Sequence, residues 1–223
     1  MLETLSGRDP RTKTKDEPQV EAAPVAPPCA MVIFGAAGDL TKRLVVPALY
    51  NLVNGGQLPD GFRLVGVDLA SKTADDWRKG LTETMKSFVA GSGEFQITQL
   101  DQTAWRWLSD RMSYVQGDLN DLGTYRRLGE HLAGLEKTAD TAGNRLFYLA
   151  IADRFFAKTV SGLGVAGLVT ENDRQWRRVV IEKPFGHDLP SAKALNAEIL
   201  KTLQENQIYR IDHFLGKETV QNI

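Results

Sequence analysis

From Ala30 onward, short runs rich in β-branched or aromatic residues alternate with longer stretches of helical period. The strand-like runs are Ala30–Phe34, Phe62–Val67, Met112–Gln116, Arg145–Ile151, Arg178–Glu182 and Ile208–Phe214. The helical stretches lie near Leu40–Asn54, Ala74–Phe88, Leu122–Lys137, Arg154–Gly162 and Leu189–Glu205. Antiparallel strands need only short turns, whereas strands separated by helices of this length run parallel. The pattern predicts a doubly wound α/β domain with helices on both faces of a parallel sheet. Residues Gly91 to Trp105 break the pattern and read as a loop or a helical insertion.

Before Ala30 the chain has a different character. Residues 1–29 are polar, charged and rich in Pro and Ala, with Pro10, Pro18, Pro24, Pro27 and Pro28. Such a segment buries too little apolar surface to offset the entropy of ordering, so a disordered tail is expected, followed by one domain over 30–223. In a chain of 223 residues with 42% hydrophobic and 25% charged residues, that domain has an ordinary globular composition. A formal charge of -1 gives no general attraction to nucleic acid or to an anionic membrane. No apolar run approaches the roughly 18 residues needed to cross a bilayer. The single cysteine, Cys29, cannot form an internal disulfide, which fits a reducing, cytoplasmic setting.

The first strand runs straight into Gly35-Ala36-Ala37-Gly38-Asp39-Leu40 and then into an apolar-periodic helix. Gly35 permits a tight turn, and Gly38 lets backbone N–H groups at a helix N-terminus approach a pyrophosphate with no Cβ between. The spacing is GxxG and not the fuller GxGxxG, so its weight comes from its place at the first βα junction. Asp68 ends the second strand, where an acid suits the ribose of NAD, while Lys72 leaves room for the extra phosphate of NADP. Asp118 and Leu119 end the third strand at the same edge. Asp118 either contacts a cofactor or caps the following helix.

Two later stretches point to a substrate. In Val179–Gly186, an apolar strand ends in Glu182-Lys183-Pro184, which places Lys183 at the carboxyl edge of the sheet, able to donate to a sugar hydroxyl. In Tyr209–Glu218, Asp212, His213 and Lys217 fall where a strand passes through Gly216 into a helix. His213 and Lys217 suit a phosphate near that helix start. Asp212 alternates in direction with His213 and so can orient a histidine elsewhere.

Taken in order, GAAGDL, RLFYLAI, EKPFG and RIDHFLGKE resemble the glucose-6-phosphate dehydrogenases, over about Ala30 to Ile223. The resemblance implies a Rossmann-like coenzyme domain without the family's second, α+β domain. It implies oxidation of C1 of glucose 6-phosphate to a lactone, the first step of the pentose phosphate pathway, with a hydride passed to NADP or NAD and no metal. Cofactor contacts would come from Gly35, Ala37, Gly38, Asp39, Leu40, Lys42, Asp68, Asp118, Leu119 and Lys183, with Pro184 in a cis bond. Lys183, His213 and Lys217 would hold the sugar phosphate, and Asp212 would orient the catalytic histidine.

The chain departs from the family's pattern at Leu44, where Lys is frequent, and at Leu69, where an Arg meets the 2′-phosphate. Phe214 replaces a Tyr, and Asp153 replaces a Pro. The family's general base, a histidine of the second domain, would lie beyond Ile223. His131, expected on a solvent-facing helix, and His187 do not match it. The chain alone is therefore expected to bind a dinucleotide but to turn over negligibly, and to be monomeric or to aggregate, since the family's homo-oligomer forms through the other domain. The alternatives are a sugar oxidoreductase of the glucose–fructose oxidoreductase type, against which RIDHFLGKE argues, and a non-catalytic nucleotide-binding module.

Overall fold

In each strand run, side chains alternate between the two faces of a sheet, and here both faces are apolar. The computed structural model, which describes residues 24–89 and 99–211, shows why. Strands β1 (Ala30–Phe34), β2 (Arg63–Asp68), β3 (Met112–Gln116), β4 (Arg145–Leu149), β5 (Arg177–Glu182) and β6 (Ile208–Ile211) form one sheet in the order β3-β2-β1-β4-β5-β6. Every neighbouring pair is parallel. Helices α1 (Val46–Asn54), α2 (Ala74–Val89), α3 (Gln102–Ser109), α4 (Leu122–Thr138), α5 (Phe156–Val165) and α6 (Leu189–Ile199) cover it.

The sheet separates two hydrophobic clusters. Val32, Phe34, Val65, Val67, Phe147, Leu149, Val179 and Ile181 face Tyr125, Leu128 and Leu132 of α4, Phe156, Val160 and Leu163 of α5, and Ile199 of α6. Met31, Ile33 and Leu64 point the other way, toward Leu49 and Tyr50 of α1, Trp77, Leu81 and Met85 of α2, and Trp105 and Leu108 of α3. The period of two along each strand thus supplies both cores at once.

Several boundaries differ from the sequence reading for local reasons. The first helix starts at Asp39 and passes at once into a π turn, Thr41–Val45, in which Val46 N–H reaches the carbonyl of Thr41. Pro47 follows with no N–H to offer, and its ring crowds the carbonyl four residues back, so the wider turn relieves it. The stretch 91–105 contains the start of α3, where the Asp101 side chain accepts from Thr103 N–H and Ala104 N–H. Strand β4 stops at Leu149, and α6 stops at Ile199 instead of Glu205. Ahead of β1, Ala26 N–H donates to the carbonyl of Gln57 and Cys29 is buried. Residues 1–23 and the end of the sixth strand run lie outside the described residues. No helix among the described residues is long and apolar enough to cross a membrane.

His131 corrects an expectation. It is half-buried beneath β3, with Nε2 2.7 Å from Ser113 Oγ, rather than turned to solvent. Burial holds its pKa below the usual 6.5. The folded value is depressed, so the contribution is present while the ring is neutral in both states and is lost as pH falls below 6.5, where the unfolded chain takes a proton that the folded one resists. Urea unfolding should show stability declining from neutral pH to about pH 5.5, and His131→Gln should flatten that decline.

Gly66, in the middle of β2, makes room for a neighbour. A Cβ there would lie 2.8 Å from the Ala36 methyl and 2.8 Å from the Trp77 ring. That gap lets the Trp77 indole cross the strand and donate to the carbonyl of Ala36 at 2.8 Å. Gly66→Ala should cost about 1–3 kcal/mol through overpacking, read as a lower urea midpoint with an unchanged slope.

Candidate functional site

At the end of β1 the chain must reverse from strand to helix within a few residues, and Gly35 makes the reversal with φ +85°. A side chain there is excluded twice, by that φ and because a Cβ would stand 2.1 Å from the carbonyl oxygen of Ala150. The N–H groups of Gly35 and Ala36 donate to the carbonyl of Val67 at 3.0 and 3.2 Å, tying the turn to β2. The Gly35 carbonyl in turn accepts from Gly38 N–H at 3.0 Å and from the Thr41 hydroxyl at 2.8 Å. A Cβ on Gly38 would sit 3.1 Å from that carbonyl, so a larger residue would crowd the turn.

The helix that follows begins at Asp39, so its cap position is Gly38, which has no side chain to offer. By contrast α3, α4 and α6 are capped by Asp101, Asp121 and Asp188. The first N–H groups of a helix have no intrahelical acceptor, so those around Asp39 and Leu40 face the carboxyl edge of the sheet with a positive partial charge. Lys42 lies one turn on. The open cap, the turn that Gly35 makes at +85° and the space beside Gly38, where a Cβ would meet only the Gly35 carbonyl within 4 Å, suit a diphosphate.

Beside the turn is a crevice of about 420 Å³. Gly35, Val67, Asp68 and Leu69 line one side, Gly117, Asp118, Leu119 and Asn120 a second, and Ile151, Ala152, Arg154 and Phe155 a third. Asp68 holds the structure together here. Its Oδ2 accepts from Ala37 N–H at 2.9 Å, and its Oδ1 accepts from Ala70 N–H at 3.0 Å. Tyr114 donates to the Ala70 carbonyl at 2.7 Å, fixing the loop after Asp68. Burial, with the charge of Asp68 adding to it, pushes the Tyr114 phenol up to about 12.

Asp118 does not cap α4. Its Oδ1 accepts from Asn120 N–H and from the Asn120 side-chain amide, both at 2.8 Å, and Asp121 provides the cap. Leu119 is held by its carbonyl, which accepts from the Tyr125 hydroxyl at 2.9 Å. The third wall escaped the sequence reading. Arg154 and Phe155 sit in a short 3₁₀ turn between β4 and α5, with the guanidinium 4.8 Å from the ring centroid. No local motif marks them; only the order of the strands brings this turn opposite Asp68.

At the carboxyl end of β5, Glu182 is buried and accepts a hydrogen bond from the Tyr148 hydroxyl across the β4–β5 pair. Burial foremost, and then Glu182, raises the Tyr148 phenol far above its usual range. Lys183 follows directly, and the Lys183–Pro184 bond is cis. His187, largely exposed, places Nε2 3.6 Å from an oxygen of Asp153. Gly35, Asp68, Asp118 and Leu119 thus meet in one crevice, while Ala37, Gly38, Asp39, Leu40 and Lys42 belong to its turn and helix. Lys183 stands at the end of a strand further along the same edge. Asp212, His213 and Lys217 lie outside the described residues. A larger hollow of about 600 Å³ near Thr170, Gln204 and Gln207 opens where β5 and β6 begin, the edge opposite to the glycine turn.

The family model for the "Glucose-6-phosphate dehydrogenase, NAD binding domain" matches residues 32–222. The glucose-6-phosphate 1-dehydrogenase of Chlamydia pneumoniae is 43% identical over 200 residues, 88% of this chain and 38% of that protein. Its counterpart from Bacillus subtilis is 42% identical over 88% of this chain and 37% of its own length. The chain therefore spans well under half the length of the curated relatives it matches. A crystal structure of the Mycobacterium avium enzyme superposes with a TM-score of 0.71 at 35% identity, covering 88% of this chain and 38% of that one. A glucose-6-phosphate dehydrogenase in complex with glucose 6-phosphate superposes with a TM-score of 0.74 at 30% identity, covering 91% and 40%.

The turn itself is testable without any ligand. Gly35→Ala should lose about 1–2 kcal/mol from the left-handed φ and about 1–3 kcal/mol from collision with Ala150, measured by chemical denaturation. A variant as stable as the parent would contradict the geometry described.

Proposed function

The chain belongs to the glucose-6-phosphate dehydrogenase family, and we propose that it forms the coenzyme-binding part of an enzyme that oxidises C1 of glucose 6-phosphate to the lactone with reduction of NAD or NADP. One observation carries this reading. The side-chain-free glycine turn, the uncapped helix start and the pinned Asp68 converge on one crevice, beside β1 and β4, where the strand order reverses. Open α/β sheets bind their ligands at that switch point. The match of the family model through residue 222 also spans Arg210–Glu218, the stretch that an unphosphorylated-sugar oxidoreductase leaves unaccounted for.

The residues fit a dinucleotide. Amide groups at Asp39 and Leu40 would hold the diphosphate, with Gly35 making the turn, Gly38 leaving room for the ligand and Lys42 adding charge. Asp68 would meet the adenosine ribose, and Asp118 and Leu119 would line the same crevice. When bound, the dinucleotide accepts the hydride from C1. Lys183, which directly follows the buried Glu182 at the end of β5, would donate to the sugar and the cofactor. His213 and Lys217 would bind the sugar phosphate, and Asp212 would orient a histidine that takes the C1 hydroxyl proton. Neither histidine among the described residues suits that last role: His131 is engaged with Ser113 under β3, and His187 pairs with Asp153. The base would be supplied by chain outside these residues, as would the homo-oligomer contacts. The free, buried Cys29 accords with a cytoplasmic setting.

Calorimetric titration with NAD(P)H tests the reading. The folded chain should bind a dinucleotide, and a folded chain that binds neither form would sink the proposal. Turnover of glucose 6-phosphate should appear on adding the C-terminal remainder of a relative. In that mixture Lys183→Ala should lower kcat/KM by about 10- to 100-fold, the loss of a hydrogen bond to a charged group.

A further inference from the structure

We propose that Asp68 makes this site select a dinucleotide whose adenosine ribose carries a free 2′-hydroxyl, NAD over NADP. The inference rests on the dinucleotide reading above and decides between the two nucleotides that reading admits. In a sheet of this order, a dinucleotide whose diphosphate sits at the β1 turn lays its adenosine ribose over the end of β2. Asp68 is the last residue of β2 and lines the crevice there.

The carboxylate cannot swing out of the way. Ala37 N–H, from the glycine turn, holds Oδ2 at 2.9 Å, and Ala70 N–H, from the loop that follows, holds Oδ1 at 3.0 Å. That loop is itself fixed by the Tyr114 hydroxyl on the Ala70 carbonyl. A carboxylate has about four acceptor sites on its two oxygens, so the two backbone bonds leave acceptors for a ribose. Ribose hydroxyls are donors and satisfy them. A 2′-phosphate offers oxygens that accept, and it brings a further charge of about −1.5 to −2 against a fixed negative group.

Little in the crevice offsets that charge. Asp118 adds a second carboxylate to the lining, and Arg154 is the one lining cation among the described residues, stacked on Phe155 across the crevice after β4. Leu69, next to Asp68, is apolar and 67% exposed, so the side chain nearest in sequence brings no charge. Lys72, further along the loop, is not among the residues that line the crevice.

The experiment is a fluorescence titration of the chain with NADH and with NADPH at one fixed ionic strength. NADH should bind at least about tenfold more tightly. Asp68→Asn keeps the size and one acceptor oxygen but removes the charge. Leu69→Arg adds a guanidinium at an exposed position and leaves Asp68 in place. Each should move the affinity ratio toward NADPH by about tenfold. Equal or tighter binding of NADPH by the unaltered chain overturns the proposal, and so does a ratio that neither variant changes. If Asp68→Asn does not fold, the ratio in Leu69→Arg alone decides. A folded chain that binds neither dinucleotide removes the nucleotide site and the role of Asp68 with it, whereas binding with the opposite preference leaves the site standing and overturns only Asp68 as its selector.

Discussion

The reversal at Gly35 is fixed from two sides, and the rest of the site takes its position from it. On one side, the carbonyl of Ala150 at the end of β4 stands where a side chain would be. On the other, the carbonyl of Val67 in β2 accepts from two consecutive N–H groups of the turn. Neither neighbour is close in sequence, so the turn exists only once β1 lies between β2 and β4. Asp68 then adds a third tie, from the end of β2 to Ala37. The helix that follows starts where these ties place it, with its amides toward the crevice.

The strand order explains why the crevice is here. To one side of β1 the connections run through β2 and β3, to the other through β4, β5 and β6. Successive loops therefore diverge at the β1–β4 junction and leave a gap over the carboxyl ends. The gap is lined by loops from both halves, so residues distant in sequence, such as Asp68, Asp118 and Arg154, share one wall system. Lys183 is reached by moving along the same edge, past β4 to β5.

Strands with dense apolar runs, such as Ala30–Phe34 and the Val179–Ile181 core of the run read as Arg178–Glu182, were legible because burial on both faces leaves little polar alternation to obscure the signal. The glycine turn was legible because only glycine tolerates φ +85° beside a neighbouring carbonyl. Other features depended on partners that sequence does not show. The π turn at Thr41–Val45 follows from Pro47, yet a helix-period pattern runs through it unbroken. His131 sits at a helical position whose face is decided by Ser113 of β3. Asp118 and Asp121 both suit a cap by residue type, and only backbone direction assigns the cap to Asp121. The wall formed by Arg154 and Phe155 has no motif at all, because its place is set by the order of strands and not by local chemistry. The expectations for Asp212, His213 and Lys217 fall beyond the described residues.

The division of the core by the sheet has an evolutionary side. Side chains of α4, α5 and α6 pack on one face and those of α1, α2 and α3 on the other, with few shared neighbours. Changes confined to one layer should combine additively with changes in the other, since separated sites rarely interact energetically. A lineage can thus redraft either layer without retuning its opposite, provided the glycine turn between Phe34 of one layer and Ala36 of the other is left alone.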